Sequence, residues 1–305
     1  MTPQPSVRSF DDVAAQFVVH RPKLYAIAYR TLGSAWSADD AVQEVWLRLQ
    51  RTDVAAVRNL EAWLTTVVSR VCIDLIRQRA TWREDLAGDD VPETGSVDDA
   101  PAGRDPAATA MRSEDLALAI QVLLDTLGPL ERLALVLHDV FALSYDEIAP
   151  IVERTPSTAR QLASRARARL RAVDVDTVRE RQQEAIDAFL AAARNGDFGG
   201  LLQLLDPEIE LRSDETAVAL ASAGADYGAP LLDHRVRGVD AVARVFAGRA
   251  ELTRLVYIDG VPAAAYIADG VVRAVYLIRF DNNNKIARMD VLADGEHLAN
   301  LAVAG

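Results

Sequence analysis

The sequence predicts a multidomain protein with two all-α domains followed by an α+β domain. Three observations carry this. Up to about residue 171 the apolar residues recur at helical spacing, whereas from Ile209 onward they fall into short β-like blocks. Between the first two helical parts, Asp85 to Arg104 is rich in Asp, Gly and Pro and poor in large apolar residues. Such a stretch cannot bury enough surface to fold alone and reads as a linker.

In the first part, Phe17, Leu24, Ala28 and Leu32 mark an amphipathic helix that stops at Gly33. Ser37 is the expected cap of the next, whose buried stripe is Ala41, Val42, Val45, Trp46 and Leu49. A third helix is expected from about Leu60 to Gln78, with Trp63, Leu64, Val67, Val68, Val71, Cys72 and Leu75 inside. Met111 to Leu127 begins a second helical part, and Pro129 to Val140 continues it. A short joint is expected near Ala172 to Val178. Beyond it come a helix through Ile186, Phe189, Leu190 and Ala193, then Gly196-Asp197 and a leucine-rich turn. Strands are expected at Ile209–Arg212, Leu252–Ile258, Ala263–Ile267, Val271–Phe280 and Ile286–Leu292, with a helix at Gly238–Ala247. Asp281-Asn282-Asn283-Asn284-Lys285 makes a hairpin loop between the last two strands.

The most informative stretch is Leu143 to Arg171, two short helices joined by a tight turn. Ile148, Ile151 and Val152 give the first its apolar side, and small Ala149 allows a close crossing. Thr155 caps the second, and Pro156 takes the first helical position, where its missing N–H costs nothing. Ala159, Leu162, Ala163, Ala166 and Leu170 face inward. That leaves Ser157, Thr158, Arg160, Gln161, Ser164 and Arg165 outward, the chemistry a recognition helix needs in a major groove. Residues 154–171 hold six arginines and no carboxylate. Pro150 inside the first helix, and Glu153 where this motif's turn usually has Gly, are irregular.

The bulk properties narrow the class. Cys72 is the only cysteine, and His20, His138, His234 and His297 lack ligand spacing, so neither a disulfide framework nor a metal site is expected. No apolar run approaches a membrane span, and Met1 to Arg8 has no secretory signal, which points to a cytoplasmic protein. The net charge of −12 opposes DNA binding by the chain alone. It is concentrated, however: residues 84–105 carry eight carboxylates against the single Arg104. A local basic helix can therefore still meet phosphate, above all when a larger partner helps.

Three segments then agree. Tyr25 to Gly33 (YAIAYRTLG), Ala38 to Arg48 (ADDAVQEVWLR) and Asn59 to Arg77 (NLEAWLTTVVSRVCIDLIR) resemble region 2 of bacterial sigma factors of the extracytoplasmic-function (ECF) group. Leu127 to Arg171 stands where region 4 of that group has its helix-turn-helix. The resemblance implies region 2 in 1–84, an acidic linker in 85–110, region 4 in 111–172 and a short joint in 173–182. It implies partners, core RNA polymerase and promoter DNA, and no catalysis or cofactor. Asp39, Asp40, Gln43 and Glu44 resemble the surface that docks on polymerase. Arg58, Asn59, Ser69, Arg70 and Arg77 are the residues expected at the −10 element, where a base leaves the stack. Ser157, Thr158, Arg160, Gln161, Ser164 and Arg165 are expected at −35, while Arg167, Arg169 and Arg171 meet phosphate or pack as an ordinary basic helix end.

Gln183 to Asp214 (QQEAIDAFLAAARNGDFGGLLQLLDPEIELRSD) resembles the opening of the SnoaL-like, NTF2-like fold, a helical cone over a curved antiparallel sheet. Residues 183–305 would then modulate the sigma domains by intramolecular contact, in place of a separate anti-sigma protein. Asp214, Tyr257, Tyr266, Tyr276 and Asp290 are candidates to line a cavity in that cone, for an unknown small-molecule ligand. A competing reading is a one-component regulator that senses a ligand in the C-terminal part; it has no use for Ala38–Arg48 or the Trp63–Arg77 helix. A whole-chain enzyme leaves the first 170 residues unexplained.

Overall fold

The computed structural model describes residues 10–52, 57–87, 113–122, 127–299, 301 and 303–304. The expected acidic linker lies, from residue 88 on, outside the described residues. The chain divides into two units, Met1–Met111 with Leu123–Ala172, and Arg112–Val122 with Val173–Gly305.

In the first unit, α1 (Phe10–Leu32), α2 (Ala35–Gln50) and α3 (Leu60–Ala87) pack on one another. Gly33 ends α1 at φ 65°, a left-handed position that glycine takes without strain. The cap of α2 is Ser34, not Ser37: its hydroxyl accepts the Ser37 N–H at 3.4 Å, and Ser37 lies buried in the first turn. α3 continues nine residues beyond Gln78. Then follow α5 (Pro129–Leu135), a π-helical turn at Val136–Val140, α6 (Tyr145–Val152) and α7 (Pro156–Arg171). Apolar residues from both halves form one core, with Ile27, Val45, Leu64 and Val68 beside Leu133, Leu137, Ile151 and Leu162. The buried Arg132 guanidinium of α5 ties them further, donating to the Thr31 carbonyl of α1 at 3.1 Å. Trp46 and Trp63 pack against this core, and Trp46 lies 5.0 Å from the Phe17 ring.

The second unit begins with a departure from the expected order. α4 (Ser113–Val122) packs here, against α8 (Val175–Asn195) and the sheet. The expected joint at 173–182 is also mostly helix, since Asp174 caps α8 by accepting the Thr177 N–H at 3.2 Å. Gly196 closes α8 at φ 65°, with the Gly248 backbone only 3.7 Å from where a Cβ would stand. Asp197 caps α9 (Phe198–Leu204), and the chain enters β1 (Leu205–Ser213).

After β1 come α10 (Glu215–Ala223), a 3₁₀ turn at Ala225–Tyr227, β2 (Arg235–Arg237) and α11 (Val239–Phe246). The remainder is β3 (Thr253–Ile258), β4 (Val261–Ala268), β5 (Val271–Phe280), β6 (Ile286–Leu292), α12 (Gly295–Ala299) and β7 (Val303–Ala304). The strand order is β2-β1-β6-β5-β4-β3-β7. The sheet is mixed, not purely antiparallel, because β1 runs parallel to β6. That pairing requires a crossover, which the intervening helices and strands supply. Ile186, Phe189, Val242 and Phe246 pack onto the inner sheet face at Leu211, Tyr276, Met289 and Val291.

Asp214 anchors the end of β1. Its Oδ1 accepts the Ala217 N–H at 2.6 Å, capping α10, and its Oδ2 accepts the Ala293 and Asp294 N–H groups at 2.8 and 3.0 Å. Burial pushes its carboxyl up, but the neighbouring His297 ring and these backbone donors outweigh it and hold the group below the usual range. A depressed carboxyl stabilises the fold above the unfolded value of about 3.9, and loses that contribution as pH falls through the folded value. Asp214→Asn should therefore cost this unit about 1–3 kcal/mol at pH 7. In thermal melts the gap between variant and parent should close below about pH 4. A gap that stayed constant down to pH 2 would mean the charge contributes nothing.

Candidate nucleic-acid interface

The second helix of the motif, α7, is set by its cap and by the turn before it. Thr155 Oγ1 accepts the Thr158 N–H at 3.2 Å and lies 2.9 Å from the hydroxyls of both Ser157 and Thr158. Ser144 and Glu147 form a reciprocal capping box on α6. Glu153 turns the chain at φ 56°, a left-handed conformation that costs a non-glycine residue about 1 kcal/mol or more. The irregular residue therefore keeps the geometry of the usual glycine.

All five inward residues of α7, Ala159, Leu162, Ala163, Ala166 and Leu170, are buried. Ser157, Arg160, Gln161, Ser164 and Arg165 are exposed and Thr158 half-exposed, so one polar stripe runs along the free side. The Arg160 guanidinium sits 5.3 Å from the Tyr145 ring centroid, a cation–π contact that fixes its direction.

The later arginines behave differently. Arg167 Nε donates to Asp139 Oδ2 at 2.7 Å, its Nη2 makes a shorter bond to Asp139 Oδ1, and Nη2 also reaches the Tyr145 hydroxyl at 3.0 Å. Asp139 raises the guanidinium's proton affinity and burial lowers it less, so the pair is firmly ionic. Arg169 Nη1 donates to Glu131 at 2.9 Å, and Arg165 Nε stands 3.2 Å from the same carboxylate. Arg167 and Arg169 are thus engaged by their own domain, the arrangement that the second of the two expectations, a packed basic helix end, describes. Asp139 and Glu131 escaped notice in the sequence because they lie 28 and 38 residues before their partners. Asp139 lies in the π-helical turn Val136–Val140, an irregularity that helical spacing does not reveal.

In the first helices, Asp40 and Gln43 are exposed and Asp39 and Glu44 half-exposed, opposite the buried Ala38, Ala41, Val42 and Val45. Glu44 accepts from Arg48 Nε at 2.8 Å. On α3, Arg58 and Asn59 are exposed at the start, where Asn59 Oδ1 accepts the Ala62 N–H at 3.1 Å. Arg77 is exposed. Ser69 is not available to a base: it is fully buried, because α3 turns that position into the core beside Val68 and Cys72. Arg70 is exposed, and its Nη2 donates to the Pro150 carbonyl at 3.4 Å and pairs with Glu153 at 3.3 Å. It therefore holds the turn between α6 and α7. Part of the loop before α3, residues 53–56, lies outside the described residues.

Of the five residues expected in the C-terminal cavity, Tyr266 and Tyr276 line one. Asp214 is spent on backbone N–H groups, and the Tyr257 hydroxyl donates to Gln183 Oε1 at 2.9 Å. Asp290 alternates with Met289 and Val291, so it faces away from the core and pairs with Arg288 at 3.0 Å. Burial raises its carboxyl's pKa, against Arg288, Arg212 and Arg279.

Two family models match the chain over its helical part. Sigma-70 region 2 matches residues 17–82 and Sigma-70 region 4 matches residues 117–170. The chain is 35% identical over 228 residues to the probable ECF RNA polymerase sigma factor SigI of Mycobacterium tuberculosis, covering 73% of this chain and 76% of the relative. The chain belongs to the ECF sigma factors of the sigma-70 family. It is also 35% identical over 240 residues to the ECF sigma factor SigJ of the same species, covering 77% of this chain and 72% of that one. The crystal structure of Mycobacterium tuberculosis SigJ covers 94% of this chain and 98% of its own, at 26% identity and a TM-score of 0.41. As an ECF sigma factor the protein binds core RNA polymerase and promoter DNA and acts in transcription initiation. Among the described residues no helix is long and apolar enough to cross a membrane.

Proposed function

We propose that this sigma factor directs promoter-specific initiation under the control of its own C-terminal domain, which takes the place of a separate anti-sigma factor. The observation that carries the proposal is α4. Part of this helix, from residue 117, falls within the region 4 match, yet the helix packs with the C-terminal domain. Leu118, Ala119 and Ile120 are buried, and Gln121 Nε2 donates to the Ile278 carbonyl of β5 at 2.9 Å. A helix of region 4 held in this way gives the C-terminal domain a direct handle on promoter reading, with no partner protein required.

The division of labour we infer follows from the exposed groups. Asp39, Asp40, Gln43 and Glu44 dock on polymerase. Arg58, Asn59, Arg70 and Arg77 serve the −10 element, with Ser69 supporting them from the core. Ser157, Thr158, Arg160, Gln161, Ser164 and Arg165 serve the −35 element. Arg70 has to release Glu153 and the Pro150 carbonyl before it can touch DNA, and Arg165 has to leave Glu131. On this reading region 2 occupies 1–84, region 4 occupies 111–172 and the regulatory domain occupies 183–305, with α4 of region 4 held against it.

Run-off transcription with purified core polymerase tests this, comparing the full chain with Leu118→Asp and Gln121→Ala. A carboxylate at buried Leu118 displaces α4, and loss of the Gln121 bond weakens it by about 1 kcal/mol. Transcript yield should rise in both variants, several-fold in Leu118→Asp. Unchanged yield together with unchanged affinity for core polymerase would remove the regulatory role.

A further inference from the structure

Between α10 and the inner face of β4 and β5 lies a cavity of about 200 Å³, formed entirely within the C-terminal unit. Small residues make the space: Ala217 and Ala221 of α10, Ala250, and Ala274 of β5 all face it. Any larger apolar side chain at these positions would fill it. Ala217, Ala221, Ala250 and Ala274 are buried and form an apolar floor, while exposed Tyr227, Glu251 and Leu252 leave the cavity open on one side. An enclosed apolar cavity of about 150 Å³ already admits benzene, so the space here suffices for a small apolar molecule.

The polar groups in the wall are few and uncharged. Tyr276 of β5, 5% exposed, lines the cavity with the Thr253 side chain within reach of its hydroxyl, and Tyr266 lines it too. Burial pushes the Tyr276 phenol up to about 12, so it remains a neutral donor and acceptor at any physiological pH. The single ionisable carboxylate of the lining, Glu251, is exposed at the rim. An ionic ligand would find no counter-charge inside and would lose its hydration on entry.

The mouth is apolar too. Of the eight large hydrophobic residues exposed among the described ones, Tyr227, Leu231 and Leu252 gather here. Tyr227 and Leu252 line the opening, and Leu231 sits between the lining residues Pro230 and Leu232. Tyr227, 88% exposed, tips a 3₁₀ turn followed by Gly228 at φ 80°. An apolar rim on a largely apolar, uncharged interior is an entrance for apolar molecules.

We propose that this cavity binds an uncharged, largely apolar molecule of on the order of ten heavy atoms, with one hydroxyl or carbonyl that meets the Tyr276–Thr253 pair. The site needs neither polymerase nor DNA, so its failure would leave the sigma assignment and the role of α4 untouched. The test uses the full chain with 4-propylphenol, propylbenzene and the anion 4-propylbenzoate, followed by calorimetry and by the shift in thermal midpoint. Both neutral compounds should bind saturably, 4-propylphenol the tighter, and 4-propylbenzoate should not bind. Tyr276→Phe should erase most of the preference for the phenol, a change of roughly three- to tenfold. Ala221→Phe, or the milder Ala221→Leu if circular dichroism shows the first unfolded, should abolish binding of both. Absence of saturable binding by either neutral compound would overturn the proposal, as would equal binding of the benzoate or binding that survives a folded cavity-filling variant.

Discussion

Replacing Arg160 and Gln161 together by alanine should reduce binding to the −35 element at least about thirtyfold while leaving −10 recognition intact. Each side chain can make a bidentate contact, Arg to guanine and Gln to adenine, and each such pair discriminates by about 1–3 kcal/mol. The smallest sum, about 2 kcal/mol, already corresponds to roughly a thirtyfold change. Both residues are exposed on the first half of α7, on the stripe that leaves Ala159, Leu162 and Ala163 buried. The loss of the Arg160 contact with Tyr145 should cost the fold only about 0.5–1 kcal/mol, as an exposed cation–π pair does. Transcription from a library randomised across −35 separates the two effects. The double variant should lose preference at the positions read by these residues and tolerate all four bases there. An unaltered preference would show that other groups read the element.

The free side of α7 was legible because its inward residues are small or branched apolar groups at helical spacing, with a Thr-Pro start before them. Cap and period agree there, so local sequence fixes both the helix and its outward face. β5 and β6 were legible for the same reason, their apolar blocks being bounded by a five-residue polar loop. Other elements exist only through tertiary partners. β2 is three residues, Arg-Val-Arg, and becomes a strand by pairing with β1. α10 reads Glu-Thr-Ala-Val-Ala-Leu-Ala-Ser-Ala, in which apolar residues surround the helix and no period stands out. The placement of α4 has no local signature either, since a buried Leu-Ala-Ile face can pack on any apolar surface. In the cavity, strand alternation separates Tyr276 from Asp290 once the register of β5 and β6 is known, and sequence alone does not supply that register.

The same limit governs Arg167, whose substitution tests whether the end of α7 is a phosphate contact or a structural tie. Its side chain is 28% exposed and that of Asp139 17%, so the pair is screened much less than a surface ion pair. Arg167→Ala leaves the Asp139 carboxylate in the π-helical turn and the Tyr145 hydroxyl without this partner. Removing one member of a fully buried pair costs about 3–5 kcal/mol, and partial exposure here brings the expectation to about 2–4 kcal/mol. For a unit of this size that is a fall in thermal midpoint of roughly 5–15 °C. A phosphate contact predicts something else: little change in stability, and a loss of about 0.9 in the slope of log affinity against log salt. The geometry favours the first outcome, with the salt slope of the folded variant unchanged. A double variant, Arg167→Met with Asp139→Leu, should recover much of the lost stability, because it removes the orphaned carboxylate along with its partner. Recovery requires that the two groups act on each other; losses that merely add would show that Arg167 and Asp139 are not coupled and would refute the structural tie.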